Sequence, residues 1–132
     1  MELLLDTCTL LWALFDDKNL PQETKDIINN PDNDIFVSSV SLWEIAIKNN
    51  YHPELMPITV EELFNVLIEQ TDFSVLDIHY NCFFYLKEFI DQNIHRDHFD
   101  QLLLSIAKVE DFTLVTCDKN LVKYEGAKII NY

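Results

Sequence analysis

The stretch Leu3-Leu4-Leu5-Asp6-Thr7 most directly indicates the fold, because its short apolar run ends on a carboxylate. Residues 2–6 are predicted to form a buried strand and residues 7–15 a helix, since the apolar residues after Thr7 recur at helical spacing. Thr7 is the predicted N-cap of that helix. Leu114-Val115-Thr116-Cys117-Asp118 repeats the pattern of an apolar run that ends on an acid. In an open α/β sheet such strand ends line one crevice, where ligands and catalytic groups collect.

Strands and helices alternate along the rest of the sequence. The predicted strands are residues 2–6, 35–38, 73–78, 112–116 and 127–130. Five predicted helices span residues 7–15, 21–29, 79–92, 99–110 and 119–124. A further helix is capped by Ser39 or Ser41 and runs to residue 49, and another starts with a capping box formed by Thr59 and Glu62. This alternation predicts one α/β domain over residues 1–132, with a mostly parallel sheet of four to five strands and helices on both faces.

The composition narrows the function classes. The only glycine, Gly126, excludes the glycine-rich loops that hold dinucleotides and nucleoside triphosphates. Three widely spaced cysteines without a CxxC pair, no basic leader and no long apolar segment are typical of a cytoplasmic protein. A net charge of −14 argues against binding nucleic acid by bulk electrostatics. A polyanionic substrate would therefore need metal ions or a local basic patch.

Four acidic sites lie at predicted ends of strands or helices, far apart in the sequence. They are Asp6, Glu44, the close pair Asp97 and Asp100, and Asp118. Each has an ordinary structural explanation, because the aspartates suit helix N-termini and Glu44 could pair with Lys48. Converging carboxylates, however, repel one another unless a cation lies between them, and oxygen ligands select Mg²⁺ or Mn²⁺. His95 and His98 are close in sequence and are expected to be supporting, core or surface residues rather than ligands.

The ordered set of acidic segments resembles the PIN-domain ribonucleases, and specifically the VapC-type toxins of type II toxin–antitoxin systems. The matching segments are Leu3-Leu4-Leu5-Asp6-Thr7, residues 37–48 (VSSVSLWEIAIK), residues 95–103 (HRDHFDQLL) and Leu114-Val115-Thr116-Cys117-Asp118. The resemblance implies a PIN-like three-layer sandwich. It also implies a Mg²⁺-dependent endoribonuclease, with Mn²⁺ as a substitute, that hydrolyses RNA through a metal-activated water.

Carried over to this sequence, the resemblance implies a set of site residues. Catalytic and metal-site acids fall on Asp6, Glu44, Asp100 and Asp118, with Asp97 as a further metal ligand, and substrate contacts fall on Thr7, Lys48 and Arg96. Arg96 could contact a phosphate or form a salt bridge that orients Asp97. The family commonly has proline where this sequence has His98, arginine where it has Gln101, and arginine or lysine where it has Cys117. These departures remove positive charge beside the site.

The resemblance also implies partners: an RNA substrate, an antitoxin that inserts a basic segment into the acidic pocket, and a second copy of the chain, with no membrane association. Trp12 and Phe15 are dimer candidates, although core packing is the simpler explanation. Two alternatives stay open. A haloacid-dehalogenase-type phosphatase needs an acid two residues after Asp6, where the sequence has Cys8. A non-catalytic acidic protein-binding module would use the aromatic helix around Phe83-Phe84-Tyr85, although such aromatics are more often core residues.

Overall fold

Five parallel strands form the central sheet in a computed structural model that describes residues 1–132. They are β1 (Glu2–Leu5), β2 (Asp34–Ser38), β3 (Ser74–Leu76), β4 (Thr113–Thr116) and β5 (Lys128–Asn131). The strand order is β3-β2-β1-β4-β5, and all four neighbouring pairs are parallel. The predicted parallel α/β sheet is therefore confirmed, and the fifth strand belongs to it.

Six helices connect these strands. They are α1 (Thr7–Leu14), α2 (Gln22–Ile28), α3 (Ser39–Tyr51), α4 (Val60–Gln70), α5 (Cys82–Ile90) and α6 (His98–Glu110), and a single 3₁₀ turn spans Leu121–Lys123. None of the helices is long and apolar enough to cross a membrane.

Alternate residues of β1 pack on opposite faces of the sheet, as the strand period requires. Leu3 and Leu5 belong to one buried apolar cluster with residues of α1, α2, α3 and α4, whereas Leu4 belongs to a second cluster with residues of α5 and α6. All three leucines are completely buried. The helices therefore cover both faces, which confirms the predicted three-layer arrangement.

The connections change direction at β1, and this determines where a site can form. The chain passes from β1 to β2 and β3 on one side of the sheet, then crosses to β4 and β5 on the other side. β1 and β4 lie side by side with Leu5 opposite Val115. Helix α1, which follows β1, and helix α6, which precedes β4, therefore leave a crevice between them at the carboxyl ends of these strands. This is the usual ligand site of open α/β sheets.

The predicted N-cap of α3 is wrong, and the N-cap of α1 is the other residue that the sequence allowed. Asp6, which like other aspartates suits a helix N-terminus, and not Thr7, caps α1 by accepting a hydrogen bond from the Thr9 amide. Ser38, not Ser39 or Ser41, caps α3. Asp6 and Ser38 each stand directly before the first helical residue and keep the extended backbone that an N-cap requires. The predicted capping box of α4 is confirmed.

The structure also corrects two predictions about the second half of the chain. The helix predicted over residues 119–124 is only the 3₁₀ turn Leu121–Lys123. The aromatic residues Phe83, Phe84 and Tyr85 of α5 are not core residues, since they are 51%, 73% and 43% exposed. Phe89, later in the same helix, is fully buried and supplies its apolar anchor instead.

Candidate metal centre

Asp6 lies at the carboxyl end of β1 and is only 5% exposed. One of its carboxylate oxygens, Oδ1, accepts a hydrogen bond of 2.7 Å from the Thr9 amide at the start of α1. Burial raises the pKa of Asp6 above its ordinary value, against the opposing hydrogen bonds of Thr116 and Thr9, and the negative charge of Glu44 adds to the increase. Asp6 therefore caps α1, and its ionised carboxylate is destabilised by burial and by the charge of Glu44.

Asp100 and Asp118 converge on the same crevice from α6 and from the loop after β4. Together with His95 they form the one group of three potential metal-ligating side chains, whose ligand atoms all lie within 4.8 Å of one another. His95 Nε2 is 3.1 Å from Asp100 Oδ2 and 3.9 Å from Asp118 Oδ2. Asp118 uses its other oxygen, Oδ1, to accept a hydrogen bond of 2.7 Å from the Asn120 amide.

The carboxyl group of Asp100 has the most clearly perturbed acidity in the crevice. Burial, followed by the negative charge of Asp97, raises the pKa of Asp100 from 3.8 to about 7, although the hydrogen bond with His95 opposes the increase. The charge of Asp6 also contributes to the increase. The charges of Asp97 and Asp6 therefore both act on Asp100, and a cation beside Asp100 would offset their repulsion.

Glu44 lies on α3 beside the same crevice, but both of its carboxylate oxygens already have partners. Thr7 Oγ1 is 2.5 Å from Glu44 Oε2 and 3.0 Å from Ser41 Oγ. Lys48 Nζ lies 2.5 Å from Glu44 Oε1, the ion pair that the spacing of one helical turn predicts. Burial would lower the pKa of Lys48, but the hydrogen bond and charge of Glu44 outweigh it and raise that pKa.

Asp97 and Arg96 stand at the outer rim of the site. Asp97 caps α6, and its Oδ1 accepts hydrogen bonds from the amides of Phe99 at 2.9 Å and Asp100 at 3.1 Å. Asp97 lies outside the close group of ligand atoms. Arg96 is exposed and forms no ion pair, so the salt bridge to Asp97 considered from the sequence is not present.

The donor chemistry of this site fits a divalent cation. Asp100 and Asp118 converge with His95, and Asp6 lies outside this close group but near enough for its charge to act on Asp100. Burial raises the pKa values of Asp6 and Asp100, and neighbouring carboxylates add to the increase, so a cation would stabilise the ionised acids. Carboxylate oxygens are the ligands that Mg²⁺ and Mn²⁺ prefer.

From the sequence, His95 is expected to lie outside the set of ligands, and nothing there indicates that Tyr124 and Gln101 hold it in place. His95 Nδ1 is 2.8 Å from the hydroxyl group of Tyr124, and Gln101 Nε2 donates a 3.0 Å hydrogen bond to the His95 carbonyl oxygen. Gln101 therefore supports the loop before α6 from behind. The only sequence signal for His95 is its closeness to Asp100, because no periodic pattern covers an irregular loop.

The sequence also named two dimer candidates, and the structure has a cavity at the end of the sheet opposite the acids. Trp12 packs edge-on against Tyr132 with ring centroids 6.4 Å apart, whereas Phe15 is 51% exposed. A cavity of about 620 Å³ lies at the amino ends of β2 and β3, lined by Asp34 and Ser74 among others. Because catalytic groups of parallel sheets collect at the carboxyl ends of the strands, we assign the site to the acidic crevice rather than to this cavity.

Fold and site together define a parallel α/β domain with a carboxylate-lined crevice at its topological switch point. The sequence matches the PIN domain over residues 3–127, and the chain therefore belongs to the PIN domain family. No curated protein matches the sequence.

Solved structures with a similar fold include proteins of toxin–antitoxin systems. VapBC2 from Rickettsia felis, bound to a DNA fragment of its promoter, contains a chain 20% identical to this one, with a TM-score of 0.74 and coverage of 100% of this chain and 99% of that chain. DNA-bound VapBC from Salmonella typhimurium gives 19% identity, a TM-score of 0.71 and coverage of 99% and 98%. VapBC-5 from Mycobacterium tuberculosis gives 17% identity, a TM-score of 0.61 and coverage of 99% and 98%.

Proposed function

We propose that the protein is a metal-dependent endoribonuclease of the VapC type, the toxin of a toxin–antitoxin pair that acts on cytoplasmic RNA. The observation that carries the proposal is the convergence of Asp100 and Asp118 with His95 at the crevice between β1 and β4, where the charge of Asp6 also acts on Asp100 and the pKa values of Asp6 and Asp100 are raised. Membership of the PIN domain family supports it, as does the similarity of fold to VapBC proteins over nearly the whole chain.

Asp6, Asp100 and Asp118 would hold the cation, Mg²⁺ or Mn²⁺ in its place, with Asp97 at the rim as a further ligand. When bound, the cation supplies Lewis acidity, which makes a water more acidic and neutralises charge on the phosphate. Glu44 is the fourth acid of the proposed set. Lys48 and Thr7 each hold one oxygen of Glu44 and so fix its carboxylate group, and each oxygen keeps a second lone pair that can accept a hydrogen bond from water.

Three residues of this chain could bind the phosphate backbone beside the acids. Arg96 is exposed and free of ion pairs, so its guanidinium group can contact a phosphate with two parallel hydrogen bonds. Lys48 is half exposed, with 49% of its side chain accessible. Thr7 is buried and donates to Glu44, so its hydroxyl group would reach a phosphate only when that contact opens. Arg96 and Lys48 would supply the local positive charge that a chain of net charge −14 needs in order to bind RNA.

The test is cleavage of end-labelled RNA by the purified chain with Mg²⁺, Mn²⁺ or a chelator. We expect cleavage only with metal, giving 5′-phosphate ends. Asp6→Asn and Asp100→Asn should each lower the rate at least about 100-fold, because the partners of a metal ligand alone are worth about 10- to 100-fold. Asp32→Asn is the matched control, since Asp32 is exposed at the amino end of the sheet, far from the crevice. Unchanged metal-dependent cleavage by Asp6→Asn would refute the proposal.

The antitoxin in this proposal is a small protein with a basic segment. Opposite charge steers such a segment towards a chain of net charge −14, and an arginine or lysine could pair with Asp100 and Asp118 in the crevice. We also propose a homodimer that uses the exposed ring of Phe15 on α1. Co-purification with the product of a neighbouring short reading frame tests the first proposal, and the molar mass in solution tests the second.

A non-catalytic protein-binding module is the alternative function, and two observations favour it. The rings of Phe83 and Phe84 are exposed on α5, and Glu44 is already paired within the chain. Thermal melting with increasing Mg²⁺ separates the two functions, because only a metal-binding site gives saturable stabilisation. A metal-dependent phosphatase is the weaker enzyme alternative, and absence of p-nitrophenyl phosphate hydrolysis would remove it.

A further inference from the structure

His95 is the one nitrogen donor among the acids of the crevice. It lies in the loop between α5 and α6, and its side chain is 16% exposed. Its Nε2 faces both Asp100 Oδ2 at 3.1 Å and Asp118 Oδ2 at 3.9 Å. The imidazole therefore occupies the point where the two carboxylates converge, and not a separate surface position.

Contacts behind the ring fix its orientation. Nδ1 lies 2.8 Å from the hydroxyl oxygen of Tyr124, which is 4% exposed. The Tyr124 hydroxyl group donates to the His95 carbonyl oxygen at 3.3 Å, and Gln101 donates to the same oxygen at 3.0 Å. We assign the hydroxyl proton to the contact with the carbonyl oxygen and Nδ1–H as the donor to the Tyr124 oxygen. Nε2 then lies on the side of the acids, where a cation would replace the proton that Nε2 shares with Asp100.

This arrangement has the features of a histidine prepared to bind a metal. Metal-ligating histidines usually hold their second ring nitrogen with a hydrogen bond that sets the tautomer, as Tyr124 does here. A lone pair on Nε2 and a carboxylate oxygen of Asp100 only 3.1 Å away must share a proton or a cation. His98, three residues further along, differs from His95 because its Nδ1 contacts Gln101 and it is exposed outside the ligand group.

We propose that His95 Nε2 binds the divalent cation directly together with Asp100 and Asp118, and that this nitrogen makes the site prefer Mn²⁺ to Mg²⁺. Imidazole nitrogen favours first-row transition metals, whereas Mg²⁺ prefers an all-oxygen environment. The inference rests on the metal site of the proposed function and revises the expectation that His95 only supports the ligands. It makes His95 a determinant of metal choice, independent of the RNA.

Electron-spin-echo spectroscopy of the full chain loaded with Mn²⁺ tests the inference. We expect coupling of the Mn²⁺ electron spin to a directly bound histidine nitrogen, which changes to the ¹⁵N pattern when the protein is made with ¹⁵N-histidine. This comparison uses the wild-type chain only and does not depend on the folding of a variant. Bound Mn²⁺ without histidine coupling would overturn the inference.

Variants link the coupling to His95 and to metal choice. His95→Gln should abolish the nitrogen coupling and weaken Mn²⁺ binding at least about 10-fold, while Mg²⁺ binding measured by competition changes much less. His98→Gln is the matched control and should keep both the coupling and the preference for Mn²⁺. An unchanged ratio of Mn²⁺ to Mg²⁺ affinity in His95→Gln would also overturn the inference.

The outcomes for this inference and for the proposed function are distinct. RNA cleavage by a protein whose Mn²⁺ has only oxygen ligands would overturn the role of His95 and leave the nuclease intact. Histidine-coupled Mn²⁺ in a protein that cleaves no RNA would overturn the nuclease and leave the role of His95 intact. A chain that binds Mg²⁺ and no Mn²⁺ would overturn the role of His95 alone, and a chain that binds neither cation would overturn both.

Discussion

Asp100→Asn should stabilise the metal-free protein at alkaline pH. Asp100 is largely buried, with a side chain 17% exposed, beside the charges of Asp97 and Asp6. Asparagine keeps the shape of the side chain and removes the charge. The variant therefore isolates the cost of holding an ionised carboxylate in the crevice.

The magnitude follows from the pKa of Asp100, which rises from 3.8 in the unfolded chain to about 7 in the folded protein. A folded state that binds the proton more tightly than the unfolded chain loses stability as the pH rises between these two values. Roughly 3 pH units at about 1.4 kcal/mol each limit this loss to about 4 kcal/mol. That is a large fraction of the roughly 5–15 kcal/mol that holds a typical domain folded.

The assay is urea unfolding of both proteins in chelator at about pH 4 and about pH 8, below and above the titration of Asp100. The wild-type protein should lose several kcal/mol between the two conditions, of which Asp100→Asn should recover up to about 4 kcal/mol. At a concentration about 100 times its dissociation constant, Mg²⁺ or Mn²⁺ should raise the free energy of unfolding of the wild-type protein by about 2.7 kcal/mol and that of the variant by much less.

The control for this experiment is Asp32→Asn, which should follow the wild-type pH profile because Asp32 is exposed. An Asp100→Asn variant less stable than the wild-type protein at about pH 8 in chelator would refute the reasoning. It would mean that the hydrogen bond between Asp100 and His95 stabilises the carboxylate more than burial and repulsion destabilise it.

Three further predictions concern the scaffold around the site. Leu4→Ala should cost about 2–5 kcal/mol of unfolding free energy in urea, because the fully buried Leu4 leaves a cavity under α6, while Val122→Ala at an exposed position should cost much less. Thr59→Ala should cost about 1 kcal/mol by removing the α4 cap, and a loss within error would mean that the capping box contributes nothing. Lys48→Met should lower the free energy of unfolding by about 1 kcal/mol near neutral pH, because it removes the ion pair with Glu44. The raised pKa of Lys48 keeps this ion pair complete until the pH exceeds about 10.4, so the difference between the two proteins should stay constant from about pH 7 to about pH 9. A difference that disappears in that range would contradict the prediction.

Local patterns in the sequence account for the elements that predictions placed well. The leucines of β1 alternate between two apolar clusters, and the Thr59–Glu62 box starts α4, because both signals depend only on near neighbours. The prediction of a helix over residues 119–124 is wrong. Its pattern is apolar enough, but within the connection from β4 to β5, residues 117–127, only the 3₁₀ turn Leu121–Lys123 forms.

Contacts between distant segments explain what the sequence could not show. The exposed aromatic residues of α5 have the spacing of a core helix, and only packing decides that Phe89 enters the core while Phe84 faces outward. The same applies to His95, whose role depends on Tyr124, 29 positions away in the chain.

The sequence by itself determined that acids stand at strand and helix ends in an α/β domain, because an apolar run and the residue that ends it are adjacent in the chain. Only the tertiary structure decided which of these acids meet. The order β3-β2-β1-β4-β5 brings Asp6 and Asp118 to one crevice, and Thr7 reaches Glu44 across 37 positions of the chain. No local pattern encodes these meetings, because they join residues that come together only when the whole chain packs. The contacts of Asp6 with the Thr9 amide, of Asp118 with the Asn120 amide and of Glu44 with Lys48, in contrast, join near neighbours.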